Sequence, residues 1–160
     1  MKYLALLLLM FVLATSLVSA QPVVVIVRHA EKLTGGGNDP DLSPSGRERA
    51  ETLARILKDA RITAIFTSEF KRTQETAAPT ARELLVTPTI APAKDTASLV
   101  AKLRTANGTV LVVGHADTIP NLLKSLGIDA EINIPDNDYT ELFVITLGEK
   151  PQFLRLHYPS

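Results

Sequence analysis

The sequence predicts an α/β protein, a three-layer sandwich in which helices cover both faces of a mostly parallel central sheet. The first observation is a set of short runs rich in valine and isoleucine, such as residues 23–27 and 109–113, which are typical of strands buried on both faces. The second is that amphipathic helical segments alternate with these runs, as they do in folds built on parallel strands. The third is length, because 160 residues suffice for one such domain plus an extension.

The extension is at the N-terminus. Residues 4–13 are almost entirely apolar and follow Lys2, and small residues up to Ala20 resemble a cleavage site. This pattern predicts a signal peptide over residues 1–20 and one domain over residues 21–160. A membrane anchor is the alternative, but the apolar run is short for a span of about 20 residues. We therefore expect an exported protein, periplasmic or extracellular, without stable membrane insertion once the signal is removed.

The charge balance argues against two classes of partner. The chain has 17 basic and 17 acidic side chains and a formal net charge of zero, which indicates neither nucleic acid nor an anionic membrane surface as a ligand. The absence of cysteine excludes disulfides and thiolate chemistry. The oligomeric state is left open by the sequence.

The first half of the domain carries clear boundary signals. The strand at 23–27 leads into a glycine-rich stretch at 35–41, interpreted as a surface loop, with a lid at the rim of the site as the alternative. A helix then begins with Ser43 as N-cap and Pro44 in the first position. A second strand covers residues 62–67. Ser68 is predicted to cap the next helix.

The second half repeats the alternation. Pro79 is expected to kink or split the helix after Ser68. A weak strand at 86–90 contains a proline and is predicted to lie at an edge. A helix capped by Asp95 or Thr96 precedes a strand at 109–114. Asp117 is most simply the N-cap of the helix that follows, and residues 141–147 and 152–158 are predicted to form a hairpin.

Charged and imidazole side chains follow the buried strands. Arg28 and His29 end the first strand, His115 ends the strand at 109–114, and Arg72 lies in the opening turns of the helix after the second strand. Because ligands of open α/β sheets bind beyond the carboxyl ends of the strands, we expect these side chains to share one crevice. Arginine matches phosphate oxygens, and a neutral imidazole can accept a phosphoryl group. The constellation favours phosphoryl transfer.

A metal site is the competing interpretation of the same residues. His29, Glu31 and His115 are ligand types that zinc accepts. Arg28 is adjacent to His29 and would repel a cation there, so we expect no metal. Glu31 is also open to a second interpretation, as a residue that orients an arginine or bridges the loop.

Four segments together resemble the histidine phosphatase superfamily, also called the phosphoglycerate mutase-like family. They occur in the family's order and span nearly all of the chain after residue 20: 27–31 (Val-Arg-His-Ala-Glu), 42–46 (Leu-Ser-Pro-Ser-Gly), 67–77 (Thr-Ser-Glu-Phe-Lys-Arg-Thr-Gln-Glu-Thr-Ala) and 113–117 (Val-Gly-His-Ala-Asp). The chain is most similar to the compact members, such as the small phosphohistidine phosphatases, and the resemblance implies a phosphoglycerate mutase-like fold.

The resemblance also implies roles. His29 would be the phosphorylated nucleophile, and Arg28, Arg72 and His115 would complete the phosphate pocket without a metal or other cofactor. Many relatives carry a glutamate proton donor after the second helix, where this chain has no acid until Asp95. Asp117 is therefore the first candidate donor and Glu31 the second. A phosphoramidate substrate would need little help from a general acid.

These observations predict a metal-independent phosphatase that hydrolyses a phosphomonoester or phosphoramidate of a small phosphorylated substrate. The first alternative is a module that binds phospho-ligands with an eroded active site, which the missing donor favours. The second is a phosphoglycerate mutase, which the short chain and the predicted export disfavour.

Overall fold

The element order follows the predicted alternation of strands and helices. The computed structural model describes residues 21–35 and 37–159, so the predicted signal peptide lies outside the described residues. Within them the strands are β1 (Val23–Arg28), β2 (Ile62–Thr67), β3 (Thr89–Ile90), β4 (Thr109–Gly114), β5 (Glu141–Thr146) and β6 (Gln152–His157). The helices are α1 (Pro44–Leu57), α2 (Lys71–Leu84), α3 (Thr96–Arg104) and α4 (Ile119–Ser125).

The six described strands form one sheet in the order β3-β2-β4-β1-β5-β6. The first four in that order are parallel, and β5 and β6 join as an antiparallel hairpin. Val27 pairs with Val113, and Thr67 pairs with the same residue from the other side. The carboxyl ends of β1, β2 and β4 therefore lie side by side. This register brings the predicted site residues to one edge of the sheet.

Two apolar layers hold the helices against the sheet. On one face, α1 and α2 pack through Leu53, Leu57 and Ala77. On the other face, α3 and α4 pack through Leu103 and Leu122. The central strands are buried on both faces because each contributes alternate valines and isoleucines to the two layers. The predicted three-layer α/β sandwich is confirmed.

Several boundary predictions hold and others are wrong. Ser43 caps α1, its hydroxyl accepting the N–H of Gly46 at 3.1 Å, and Asp95 caps α3. Helix α2 runs without a break through Pro79, so the predicted split is wrong. The strand predicted at 86–90 shrinks to β3, although it does lie at the edge of the sheet.

Two predicted N-caps are wrong, and both lie at the site. The N-cap of α2 is Phe70 rather than Ser68, and Asp39 from the preceding loop accepts the N–H of Lys71 at 3.0 Å instead. The N-cap of α4 is Thr118 rather than Asp117. In each case the serine or aspartate lies one or two residues too early, because the chain makes an extra turn between strand and helix.

Gly46 allows α1 to approach the chain just after β1. A Cβ atom at this position would lie 2.1 Å from the backbone oxygen of Glu31. That oxygen also accepts the N–H of Ser43 at 2.8 Å. The start of α1 is thus fastened to the segment that follows His29. Among the described helices, none is long and apolar enough to cross a membrane.

Candidate active site

The carboxyl ends of β1, β2 and β4 bring four of the predicted site residues together. The rings of His29 and His115 meet edge to face, with their centroids 5.3 Å apart. Arg28 and Arg72 both lie close enough to lower the pKa of each imidazole. Arg28, His29 and His115 are buried, and the Arg72 side chain is 14% exposed. Two cations and two imidazoles therefore share one enclosed crevice.

His29 is held in a single tautomer. Its Nδ1 lies 2.8 Å from the backbone oxygen of Ala30. A carbonyl oxygen can only accept, so Nδ1 carries the proton and Nε2 keeps the lone pair. Burial, with the nearby charges of His115, Arg28 and Arg72, lowers the pKa of His29 to about 3. The imidazole is therefore neutral near pH 7, with Nε2 available as a nucleophile.

The backbone beside His29 is fixed by α2. The N–H of Ala30 donates to the hydroxyl of Thr76 at 2.9 Å, and that hydroxyl donates to the backbone oxygen of Arg72 at 2.7 Å. Thr76 is fully buried. One threonine thus links the nucleophile segment to the helix turn that carries Arg72.

Arg28 is wrapped by the loop that precedes β5. Its Nη1 donates to the backbone oxygens of Pro135 and Asp138, each at 2.8 Å. Its guanidinium carbon lies 4.2 Å from the ring centroid of Tyr139, a cation–π contact. Its buried Nε has no hydrogen-bond partner among the described residues. The guanidinium is rigidly placed and keeps a donor for an anion.

Arg72 has the same combination of rigid support and a donor without a partner. Its guanidinium carbon lies 4.4 Å from the ring centroid of Phe70. Asp39 makes a long contact of 3.8 Å to Nη1. Within the described part of the chain, its buried Nε is also without a partner. A buried donor without a partner is unfavourable, and a ligand oxyanion would satisfy both arginines.

His115 is supported by hydroxyl groups. Its Nε2 lies 2.8 Å from the hydroxyl of Ser68. Its backbone N–H donates to the hydroxyl of Thr118 at 3.2 Å, and its ring meets that of Phe70 edge to face. Burial and the charge of Arg72 lower the pKa of His115 to about 4. This imidazole is also neutral near pH 7 and can donate only one N–H.

Glu31 lies in an ion pair instead of in the crevice. Its carboxylate accepts Nη2 of Arg49 at 2.8 Å and Nε of Arg49 at 3.0 Å. Burial raises the pKa of Glu31, but the hydrogen bonds and charge of Arg49 outweigh it and leave the pKa below its usual value. A carboxylate held ionised in this way has no proton to give. Of the two interpretations of Glu31, the geometry favours the one in which it orients an arginine.

Asp117 lies exposed on the turn after His115, and it makes no hydrogen bond within the described residues. Its charge acts on His115. Glu69 also acts on His115, but its carboxylate accepts the N–H of Ala93 at 2.9 Å, and that hydrogen bond lowers its pKa. Of these two acids, Asp117 is the one whose carboxylate has no hydrogen bond within the described residues.

Three loops border the crevice. Asp39 comes from the glycine-rich loop, and Tyr139 comes from the loop before β5. Residues 91–93 close an apolar cavity of about 30 Å³ that His115 and Ser68 also line. The sequence did not identify Tyr139, Ser68 or Thr76 as contacts of the central residues. The serine and threonines were visible as parts of the third motif, and only packing shows what they touch.

Metal ligation finds no support in the described residues. They contain no group of three or more histidine, cysteine, aspartate or glutamate side chains placed to hold a metal ion. The set His29, Glu31 and His115 does not assemble, because Glu31 is bound to Arg49.

Comparison with solved structures shows the same fold. The chain is 20% identical to the protein histidine phosphatase SixA in its tungstate complex, with a TM-score of 0.70, covering 84% of this chain and 96% of that one. It is 21% identical to a candidate phosphohistidine phosphatase SixA of Agrobacterium tumefaciens, with a TM-score of 0.66 and coverage of 86% and 98%. A mycobacterial glucosyl-3-phosphoglycerate phosphatase with bound inorganic phosphate is 16% identical, with a TM-score of 0.66 and coverage of 88% and 98%.

Comparison of the sequence finds one family model that matches the first part of the domain. A search of curated proteins gave no match. The family model "Histidine phosphatase superfamily (branch 1)" matches residues 24–93, a range that contains Arg28, His29 and Arg72 with their motifs. His115 lies outside the matched range. It follows β4 and faces the same crevice as the other three residues. Over residues 24–93 the chain is therefore similar to the histidine phosphatase superfamily.

Proposed function

We propose that the protein is a metal-independent phosphatase that hydrolyses small phosphomonoesters or phosphoramidates through a phosphohistidine on His29. The observation that carries the proposal is the Nε2 lone pair of His29 near Arg28 and Arg72, whose buried Nε atoms have no partner among the described residues. The match of residues 24–93 to the histidine phosphatase family model supports the same class of reaction. The similarity to solved structures supports the fold, in which this pocket lies at the carboxyl ends of the strands.

In the first step, Nε2 of His29 attacks phosphorus. The bond from phosphorus to the leaving oxygen or nitrogen breaks, and the leaving atom takes its electron pair and a proton. The positive charge that develops on the ring is stabilised at Nδ1 by the backbone oxygen of Ala30. Arg28 and Arg72 neutralise the phosphoryl oxygens, which is the main requirement of phosphoryl transfer.

In the second step, water attacks phosphorus and the bond to Nε2 breaks, so the electron pair returns to His29 and inorganic phosphate forms. Asp117 is the proposed donor to the leaving group, and its carboxylate then receives the proton of the attacking water. Its position on the turn after His115 supports this role.

The test is to trap the intermediate. A ³²P-labelled aryl phosphate is mixed with residues 21–160 in the presence of a chelator, and the protein is quenched in alkali. We expect an acid-labile, alkali-stable phosphoenzyme that His29→Gln abolishes. His157→Ala is the matched control, because His157 is exposed on β6. Binding of orthovanadate without turnover would contradict a hydrolase and favour the phospho-ligand module.

The donor has its own test. Asp117→Asn is expected to slow hydrolysis of an alkyl phosphate about 100-fold and to leave a phosphoramidate nearly unaffected, because the latter needs little acid catalysis. Equal effects on the two substrates would exclude Asp117 as the donor. A panel that also includes 3-phosphoglycerate distinguishes the mutase alternative by its product.

Export is proposed from residues 1–20 alone. Fractionation of the full-length protein with a C-terminal tag should recover it outside the cytoplasm and shortened by the signal. Recovery of the full-length chain in the cytoplasm would contradict this proposal.

A further inference from the structure

The second imidazole of the crevice is attached to a buried pair of hydroxyl groups. Ser68 Oγ lies 2.8 Å from Nε2 of His115 and 2.9 Å from Oγ1 of Thr73. Ser68 and Thr73 are buried. Ser68 Oγ also accepts the N–H of Phe70 at 3.3 Å. The proposed mechanism assigns no role to this pair.

The protons of this network can be arranged in two ways. In one, Nε2 of His115 donates to Ser68, Ser68 donates to Thr73, and Thr73 donates to the backbone oxygen of Phe70 at 2.8 Å. In the other, Thr73 donates to Ser68 and Ser68 donates to Nε2. A hydroxyl carries one proton and two lone pairs, so each arrangement leaves Ser68 fully hydrogen-bonded.

The second arrangement withdraws the Thr73 hydroxyl from two backbone oxygens, that of Phe70 at 2.8 Å and that of Ser68 at 3.2 Å. The oxygen of Phe70 already accepts the N–H groups of Thr73 at 3.1 Å and Gln74 at 3.3 Å. The oxygen of Phe70 therefore stays hydrogen-bonded when the Thr73 hydroxyl turns away. The two arrangements thus differ by the long 3.2 Å hydrogen bond to the oxygen of Ser68, and a ligand can select between them.

A bound oxyanion would determine which of the two proton arrangements forms. Neutral His115 has a single N–H, and Nε2 is turned toward Ser68. Nδ1 is the ring nitrogen left for a phosphoryl group, whose oxygens only accept hydrogen bonds. Donation to that group places the proton on Nδ1, so Nε2 must accept, and the Ser68 hydroxyl is its donor.

We propose that Ser68, supported by Thr73, is a positioning residue that holds His115 in the Nδ1–H tautomer when a phosphoryl group is bound. This rests on the proposed function, because it assumes that the crevice binds phosphoryl oxygens. Ser68 touches neither substrate nor phosphorus and acts through His115. The same serine thus serves the site instead of capping α2.

Nitrogen chemical shifts of the imidazoles test the proposal directly. In long-range ¹H–¹⁵N spectra of ¹⁵N-histidine-labelled protein, a protonated ring nitrogen and one with a lone pair give well-separated signals. With orthovanadate bound, we expect His115 to show a protonated Nδ1 and a lone pair on Nε2. A protonated Nε2 with a lone pair on Nδ1 in that complex would overturn the proposal. The spectrum requires oxyanion binding only, so it remains decisive even if no phosphoenzyme forms.

Variants connect the tautomer to activity. Ser68→Ala should shift the vanadate complex toward the Nε2–H tautomer and lower kcat/KM about 10-fold, on the scale of losing a group that orients another. Ser68→Thr should restore both. Thr80→Val is the matched control, because Thr80 is a buried hydroxyl on α2 that has no partner among the described residues. An unchanged tautomer and unchanged kcat/KM in Ser68→Ala would overturn the proposal.

Discussion

The two histidine-bearing strand ends are alike in place and different in support. His29 follows β1 and His115 follows β4, and the two strands are paired in register. The hydrogen-bonded nitrogen of His29 faces a backbone carbonyl, whereas that of His115 faces a hydroxyl. A carbonyl oxygen only accepts a hydrogen bond, so it fixes the proton on the ring nitrogen that faces it. A hydroxyl can either donate or accept a hydrogen bond. A fixed lone pair suits a nucleophile, and an adjustable N–H suits a group that adapts to the ligand.

The environment of the first strand end is also more firmly anchored. Thr76 binds the N–H of Ala30, the Glu31–Arg49 pair follows, and Gly46 lets α1 contact the backbone. Arg49 in turn donates to the backbone oxygen of Tyr158 at 3.2 Å. Helices α1 and α2 and the C-terminal segment thus converge on the residues just after the nucleophile. The second end is held chiefly by Ser68 and Thr118.

The largest expected effect separates the two imidazoles. His29→Gln should lower kcat by more than about 1,000-fold and abolish the phosphoenzyme, because the nucleophile is gone. His115→Gln should lower kcat less, by about 100-fold, and still form a phosphoenzyme. Rapid-quench kinetics with an aryl phosphate measure both. Phosphoenzyme formation in His29→Gln with none in His115→Gln would reverse the assignment.

The ion pair next to the nucleophile provides the second test. Glu31→Gln should lower the free energy of unfolding by about 2–3 kcal/mol, because Arg49 stays largely buried without its charge partner. Activity per folded molecule should change little. Glu51→Gln is the matched control, since its pair with Arg82 is exposed, and we expect an effect within about 0.5 kcal/mol. Urea denaturation measures both, and a stable but inactive Glu31→Gln would return Glu31 to the candidate donors.

The threonine anchor provides the third. Thr76→Val leaves the N–H of Ala30 without its acceptor and should lower the free energy of unfolding by about 1–3 kcal/mol, together with kcat. Thr80→Val removes a buried hydroxyl that has no partner in the described chain, so it should be neutral or slightly stabilising. Equal losses in the two variants would show that Thr76 contributes packing alone.

The pH dependence of stability tests the burial of both imidazoles. Burial lowers the pKa of His29 to about 3 and that of His115 to about 4, both below the ordinary 6.5. The unfolded chain therefore binds more protons than the folded chain below pH 6.5. The free energy of unfolding should fall as pH falls from 6.5 toward 4, by roughly 1 kcal/mol per pH unit for each imidazole.

Urea midpoints at pH 7 and pH 5 check this dependence, and either histidine-to-glutamine variant should weaken it. Since both rings stay neutral, kcat/KM should show no acid limb near pH 6.5 from these groups. A limb at that pH that is lost in His115→Gln would mean that the ring of His115 is more solvated than its burial implies.

The strands and the four central site residues could be predicted because their signals are local. Residues 62–67 and 109–114 are short β-branched runs, and their observed bounds equal the predicted ones. The convergence of Arg28, His29, Arg72 and His115 followed from placing each at the end of a parallel strand. The family motifs then supplied the interpretation of His29 as nucleophile, which the residues alone left open.

Roles that depend on distant partners were not accessible in the same way. Ser68 and Asp117 look like N-caps because capping preference is local, yet an extra turn moves each helix start to a later residue. From the sequence, Glu31 looks like a possible proton donor. Its ion pair with Arg49 depends on how α1 packs against the segment after β1.

The sequence by itself determined the layers, the strand ends and the chemical types gathered at them, since these follow from the periodicity of apolar residues and the rules of parallel sheets. The tertiary structure alone decided which hydroxyl contacts His115, which acid is paired with an arginine and which arginine donors have no partner among the described residues. Those properties belong to single hydrogen bonds between residues far apart in the chain, such as Ser68 to His115 and Ala30 to Thr76.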